Sequence, residues 1–491
     1  MNYLSLDIGT SSGKCQLFSS TGEILFYKTV AYSLLQQDGE VYVDIERIWE
    51  SVKDLISSAA TACGGEVSSV CISSFGESFV LLDSRDRLLF PPMVYTDPRG
   101  MKELDEICAV AGGDRMFLTT GSYPQACFSV CKLLWIKHNH PEILEAADKL
   151  MLNADYIGYL LTGERVIDYG LAARTGVFNL DTLTFDADIL SALGMPVPLF
   201  SRCARAGSTV GEILPSVAEE LGLKPGCRLV LGSHDQMCAA IGSGAMKAGD
   251  AVDGMGSVEC ITVLYDHRAD NAEMGRQGYI CVPYVKEGLY YTFLVNNGCG
   301  SLVNWYKSGI MHGYKGDKES FYAYMDSQMD KEPSGILTLP YFGGAVTPYN
   351  SIAAKGAIAG LTLNTTDADL YKSILEGTAM EMRLNCETVR AYGIDITDVT
   401  AAGGGTNSAY WLQLKADIQN IPVRTLRSTE GGLCGCAVLQ AASISGLSLE
   451  EAVSVFVQYK DEYLPDKARH DAYEKQYAKY TRLYSALKEF N

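Results

Sequence analysis

Four short stretches of the chain combine residue types that can do chemistry together. The first is Asp7-Ile8-Gly9-Thr10-Ser11-Ser12-Gly13-Lys14: a carboxylate ending an apolar strand, a tight hydroxyl-rich turn, then a cation. Backbone N–H groups and hydroxyls in such a turn can hold phosphate oxygens, and Lys14 can add a point charge. Asp7 can hold Mg2+ through water, because that ion keeps several waters and takes few carboxylates. The segment is not a P-loop. It is one residue short, Cys15 stands where Ser or Thr binds the metal, and it reads as a hairpin rather than a strand entering a helix. A plain hairpin turn fits the same residues.

The second stretch is Gly232-Ser233-His234-Asp235-Gln236, after a short apolar strand at 228–231 and before a small-residue helix at 237–241. A carboxylate just past the carboxyl end of a strand is where α/β folds place reactive groups. Asp235 could accept a proton from a substrate hydroxyl, or it could cap the helix that follows. His234 reads as structural. The third stretch, AAGGGTNS at 401–408, lets a planar ligand or a phosphate approach the backbone closely. It lacks the spacing of a dinucleotide fingerprint. The fourth is Gly254-Met255-Gly256-Ser257, a small-residue turn between strands.

The elements that must position these groups fall into two similar halves. Strands at 3–8, 14–19 and 23–30 are separated by Gly/Ser/Thr turns. An amphipathic helix follows, with Ile45, Ile48, Trp49, Val52, Leu55, Ile56 and Ala59 at helical spacing and Gly64-Gly65 as its stop. A strand at 67–73 comes next, so the first half is mixed α/β. The second half opens with strands at 251–252 and 259–264. A long helix at 366–392 starts with the capping pattern Thr366-x-x-Asp369 and ends at Gly393. A strand at 399–402 enters the glycine turn. A second capping box, Ser448-x-x-Glu451, opens a Tyr-rich helical tail. The division expected is 1–247, 248–446 and a tail at 447–491.

Composition narrows the function. The 491 residues carry 40 Lys+Arg against 59 Asp+Glu, a net charge of −19, which argues against nucleic acid or anionic membrane as a partner. Forty-seven per cent apolar and 20 % charged residues suit a soluble globular chain. No apolar run suits a membrane span, and the N-terminus lacks the basic start of a signal peptide. Fifteen scattered cysteines, with only Cys434-x-Cys436 closely spaced, read as reduced thiols of a cytoplasmic protein.

The order of the four stretches resembles the actin-like ATPase superfamily: two related α/β domains of ribonuclease H-like type with a nucleotide and substrate cleft between them. Within it, residues 3–445 resemble the FGGY carbohydrate kinases. Gly356-Ala357-Ile358-Ala359-Gly360-Leu361, then Asp369-Leu370 and Ser373-Ile374-Leu375-Glu376, fit one family signature throughout. Lys132-Leu133-Leu134-Trp135 meets the other, with departures at Cys127 and His138. The segment 403–423, with Glu430 and Gly435-Cys436-Ala437 behind it, also looks like the family.

The resemblance implies ATP and Mg2+ as cofactors and a sugar or polyol as acceptor. It implies Asp235 as catalytic base, with Asp7 and Asp235 near the metal. Asp7, Gly9, Thr10, Ser11 and Lys14 match the first phosphate hairpin, and Gly256 and Ser257 the second, where Ser replaces a commoner Thr. Gly404, Gly405 and Ser408 match the adenosine turn. Glu77, Asp97 (in Tyr95-Thr96-Asp97-Pro98-Arg99) and Gln236 match substrate contacts. Members acting on xylulose usually carry Gln-Met-His-Gly where this chain has Phe75-Gly76-Glu77-Ser78, and members acting on glycerol carry Gln-Arg-Glu-Thr. This chain keeps the Glu of the second and loses its Arg. The reading is transfer of the ATP γ-phosphoryl group to a hydroxyl of a sugar, a ketopentose such as xylulose first. Glycerol, tetrulose or hexulose kinase activity, a catalytically silent sugar sensor and a chaperone-like ATPase are the rivals, and a homodimer is compatible.

Overall fold

The computed structural model describes residues 1–490 apart from 38, 312, 313 and 315. Alternation of Leu4, Leu6 and Ile8 along β1 (Asn2–Ile8) turns one sheet face toward α1 (Ile45–Ala62), whose Ile48, Val52, Leu55 and Ile56 are buried against it. β1 pairs antiparallel with β2 (Ser12–Ser19), which pairs with β3 (Ile24–Ala31). On its other side β1 pairs parallel with β4 (Ser69–Ser74). With β5 (Thr209–Glu212) and β6 (Arg228–Val230) the order is β5-β6-β4-β1-β2-β3. α2 (Asp235–Gly242) follows.

The second sheet repeats the plan. β7 (Asp250–Met255) and β8 (Glu259–Tyr265) form a hairpin; β9 (Val282–Pro283) and β10 (Tyr290–Asn296) continue it. β11 (Asp398–Ala402) pairs parallel with β7, and β12 (Val423–Leu426) parallel with β11. Each sheet is thus an antiparallel meander with two parallel strands beside its first strand. Crossover helices α3 (Asp367–Arg390) and α4 (Ala409–Gln419) serve the parallel strands. Thr366 and Asp369 form the reciprocal cap expected at the start of α3.

α5 (Gly431–Ser445) follows the second sheet in the chain yet packs on the first. Ser69 Oγ donates to Gln440 Oε1 at 2.8 Å. It meets α2 backbone to backbone: a Cβ on Gly242 would lie 1.9 Å from the Gly431 carbonyl oxygen, and one on Gly435 1.9 Å from that of Cys238. Only glycine permits that approach.

The tail differs from the continuous helical region expected. Ser448 and Glu451 do cap a helix, α6 (Leu449–Phe456), but the chain then forms β13 (Tyr459–Tyr463) at the edge of the second sheet before α7 (Lys467–Leu487). Tyr459 and Tyr463 are strand formers with a free edge beside them, and Arg424 of β12 lies 4.7 Å over the Tyr459 ring. The α7 tyrosines turn inward: the Tyr473 hydroxyl donates to Glu376 (3.0 Å) and that of Tyr477 to Glu387 (2.7 Å). Both bonds are to the chain itself. All fifteen cysteines are free. Among the described residues no helix is long and apolar enough to cross a membrane.

Candidate active site

Strand pairing brings the two carboxylates singled out by the sequence to one end of the first sheet. Asp7 lies opposite Lys14 across the hairpin and beside Ser73 of β4. Ser73 Oγ donates to Asp7 Oδ1 at 2.9 Å. Ser74 bridges His234 in parallel, which sets Asp235 at the same end as the first residue of α2. The Gln236 N–H donates to Asp235 Oδ1 at 2.6 Å, so Asp235 does meet its helix start. Its side chain still keeps 42 % of its surface open to the cleft.

Burial, then the charge of Asp235, pushes the Asp7 carboxyl up to about 6, against the Ser73 hydroxyl and Lys14. Burial likewise lifts Asp235 to about 6, against the Gln236 N–H and Arg174. His234 Nε2 lies 3.3 Å from Asp235 Oδ1. Burial, with Arg174 nearby, holds its pKa down to about 3, so the ring is neutral at pH 7 and the contact is not an ion pair.

The turn at Gly9, Thr10 and Ser11 is braced from behind. The Tyr32 hydroxyl donates to the Gly9 carbonyl (2.7 Å) and the Tyr32 N–H to that of Ser11 (3.0 Å). The Thr10 and Ser11 hydroxyls make no hydrogen bond among the described residues and remain available. Lys14 is engaged: its Nζ lies 3.0 Å from Glu430 Oε2, just before α5. The N-terminus of α5 closes over Asp7, where a Cβ on Gly432 would lie 3.6 Å from the carboxyl carbon. That end of the helix favours anions.

The sugar-side residues separate. Glu77 is buried, and its carboxylate takes two donors from Arg174, Nε at 2.7 Å and Nη2. Burial, then the charges of Glu77 and Asp235, raises the Tyr95 phenol. Gln236 is half-buried, and its side-chain amide makes no hydrogen bond among the described residues. Asp97 points elsewhere. Both its oxygens are clasped by Arg99 (Nε 2.9 Å, Nη2 2.6 Å), and Lys132 of the Lys-x-x-Trp signature donates to the carbonyls of Asp97, Arg99 and Ala126. Arg99 and Lys132 thus brace the loop that carries Tyr95 at Asp97.

In the second half, Gly256 and Ser257 form the tip of the β7–β8 hairpin. They are held by the Gly300 and Ser301 N–H groups at 2.9 and 3.1 Å. Gly403 has φ 90°, and a Cβ there would lie 2.9 Å from the Met255 carbonyl oxygen. Gly404 opens the 3-10 turn that follows, and Gly405 packs on the Met255 side chain. The glycine turn and the hairpin are therefore in direct contact. Ser408 is buried as the N-cap of α4; it accepts from the Trp411 N–H (3.0 Å) and donates to Asp326 Oδ1 (2.7 Å). Its hydroxyl is engaged in the helix cap. Below the hairpin Lys415, Asp253 and Glu259 form a wholly buried charge cluster, with Lys415 Nζ 2.6 Å from Asp253 Oδ2 and also bonded to Glu259.

Comparison with known proteins decides the family. The models of the N- and C-terminal domains of the FGGY family of carbohydrate kinases match residues 2–242 and 266–444. The chain belongs to the FGGY family of carbohydrate kinases. It is an ATP-dependent sugar kinase. A xylulose kinase of Staphylococcus epidermidis is 25 % identical over 99 % of this FGGY chain and 97 % of its own. An L-fuculokinase of Escherichia coli K12 is 27 % identical over 83 % and 84 %. The solved structure of a gluconate kinase from Lactobacillus acidophilus superposes with a TM-score of 0.91, covering 100 % of this chain and 99 % of that one at 23 % identity. The FGGY chain thus has the two-domain actin-like ATPase fold.

Arg174 was not among the residues the sequence singled out. It lies 97 positions from Glu77 and follows the short helix Tyr169–Ala173, so no local pattern marks it. Lys415 had a signal: it stands four residues after Trp411 and three before Ile418, on the buried stripe of α4.

Proposed function

We propose that this sugar kinase transfers the ATP γ-phosphoryl group to a hydroxyl of a small sugar or polyol, with a ketopentose such as xylulose as the first class and Asp235 as general base. The observation that carries the reading is the pair Asp7 and Asp235 at one sheet end, with Asp235 open to the cleft and its pKa raised to about 6. A carboxylate so placed is ionised at pH 7 and weakly held, as a base near its working pH should be. A sensor without chemistry has no use for it. The relatives named for xylulose, aligned along nearly the whole chain, favour a ketopentose.

Residues 1–247 would hold the acceptor and the base, and 248–446 the nucleotide. Asp235 would take the hydroxyl proton as the oxygen attacks in line. The N–H groups and hydroxyls of Thr10, Ser11 and Ser257 would meet the phosphate oxygens, and Lys14 would exchange Glu430 for phosphate. Among the described residues no set of three or more His, Cys, Asp or Glu could hold a metal. Mg2+ takes one or two carboxylates and keeps its waters. Asp7, with Oδ2 free of hydrogen bonds among the described residues, and Asp235 would hold it, and it would supply charge neutralisation at the phosphates.

The test is ADP release with Mg-ATP against ketopentoses, ketohexoses, tetruloses and polyols. One acceptor should give turnover, and Asp235→Asn should lower kcat by about 10²–10⁴-fold. ATP binding with no turnover on any acceptor would favour the sensor reading.

A further inference from the structure

Arg174 and Glu77 form a closed unit inside the acceptor side of the cleft. Nε and Nη2 of Arg174 both donate to one oxygen, Oε1 of Glu77. That side-on geometry leaves Arg174 Nη1 and Glu77 Oε2 without a hydrogen bond among the described residues, and neither atom is fully buried. One donor, Nη1, and one acceptor, Oε2, therefore remain at opposite ends of the unit. The unit is built from both ends. The Phe128 ring lies 5.1 Å from the guanidinium. A Cβ on Gly76 would lie 2.8 Å from Arg174 Cγ, so the chain before Glu77 is shaped to the arginine stem. Glu77 itself sits at φ 63°, an uncommon backbone conformation for a non-glycine residue, pinned by the Ser129 hydroxyl on its carbonyl at 2.6 Å. Strain held this way collects where position matters for function.

The charges around the unit decide what it can read. Glu77 compensates Arg174, Glu430 compensates Lys14, Asp97 compensates Arg99, and Lys132 is spent on three carbonyls. His234 is neutral at pH 7. Among these groups the carboxylates of Asp7 and Asp235 are left without a cation partner. We infer that Arg174 and Glu77 are a specificity-determining pair that accepts neutral sugars or polyols and excludes sugar acids. One hydroxyl can donate to Oε2 while another, or a carbonyl, accepts from Nη1. A sugar carboxylate finds no unpaired cation, must break the Arg174–Glu77 bonds and lies in the field of Asp235. This is exclusion by unpaired charge, added to recognition by hydrogen bonds. The inference rests on the sugar-kinase reading above and narrows its acceptor class.

The experiment uses alditols and their aldonates, xylitol with xylonate and glucitol with gluconate, which differ only at C1. Binding is read by calorimetry on the full chain without nucleotide, and turnover by ADP release. The wild type should bind the neutral member at least about tenfold more tightly, the worth of a charge-assisted hydrogen bond. Glu77→Gln leaves Arg174 uncompensated and should shift that preference toward the aldonate by about 10–100-fold. Adding Arg174→Gln should remove the shift. Equal affinity of the wild type for both members overturns the inference, as does a folded Glu77→Gln with unchanged preference. The wild-type comparison stands even if a variant fails to fold. A wild type that turns over no sugar fails the kinase reading. One that turns over a neutral sugar yet binds the aldonate as tightly fails this inference alone.

Discussion

The two halves share a sheet plan and differ at one position of their hairpins. Two residues before its turn glycine, the first half has Asp7; two residues before Gly256, the second has Gly254. The nearest carboxylate of the second hairpin, Asp253, is one step further back, and strand alternation turns it to the opposite face. There it is buried and neutralised by Lys415, whereas Asp7 faces Asp235 and the cleft. One half presents charge to the reacting groups. The other presents only backbone and hydroxyl, and keeps its carboxylates for holding the hairpin in place. On the reading proposed above, a repeated fold would carry chemistry on one side and support on the other through a one-residue offset.

Asp235→Asn should separate these roles most sharply, removing most turnover while the fold survives. Lys415→Met should do the reverse. It leaves Asp253 and Glu259 buried without their cation, which costs about 3–5 kcal/mol and lowers the urea midpoint. A Lys415→Met protein of normal stability would break the distinction.

Asp7→Asn sharpens it further through pH. The folded carboxyl is pushed up to about 6 from its ordinary 3.8, so the folded chain binds more protons between those values. Stability therefore falls as pH rises through that window. The variant should melt higher than wild type at pH 8 and level with it at pH 4. For catalysis, kcat/KM should climb about tenfold per unit below pH 6 and flatten above it, as a base with the raised pKa of Asp235 requires. The smallest effect is expected of Ser408→Ala, about 1 kcal/mol from a lost helix cap, with KM for ATP unchanged. A raised KM at unchanged stability would return Ser408 to the nucleotide site.

Much of this was legible in the sequence because it is local. Alternating Leu4, Leu6 and Ile8, the caps at Thr366 and Ser448 and the glycine turns each follow from a few neighbouring residues. Asp7 and Asp235 were legible as strand-end carboxylates. What stayed hidden depends on distance along the chain. Arg174 reaches Glu77, Glu430 reaches Lys14 and Asp326 reaches Ser408 only after the sheets form, whereas the partner of Asp97 is its near neighbour Arg99. The strand at Tyr459 was hidden for the same reason: its partner edge is set by β12.

The placement of α5 on the first sheet, with α6 packed on α5, has a mechanical consequence. To put them there and still end on the second sheet, the chain passes between the halves at 243–249, again at 427–430 and again at 457–458. These passes lie side by side: the Tyr459 hydroxyl donates to the Ser243 carbonyl at 3.4 Å, and the Arg427 N–H to that of Gln458 at 2.9 Å. Three neighbouring backbones make a seam with one direction. Swinging about that line asks little of any of them, whereas sliding one half past the other would have to stretch all three at once.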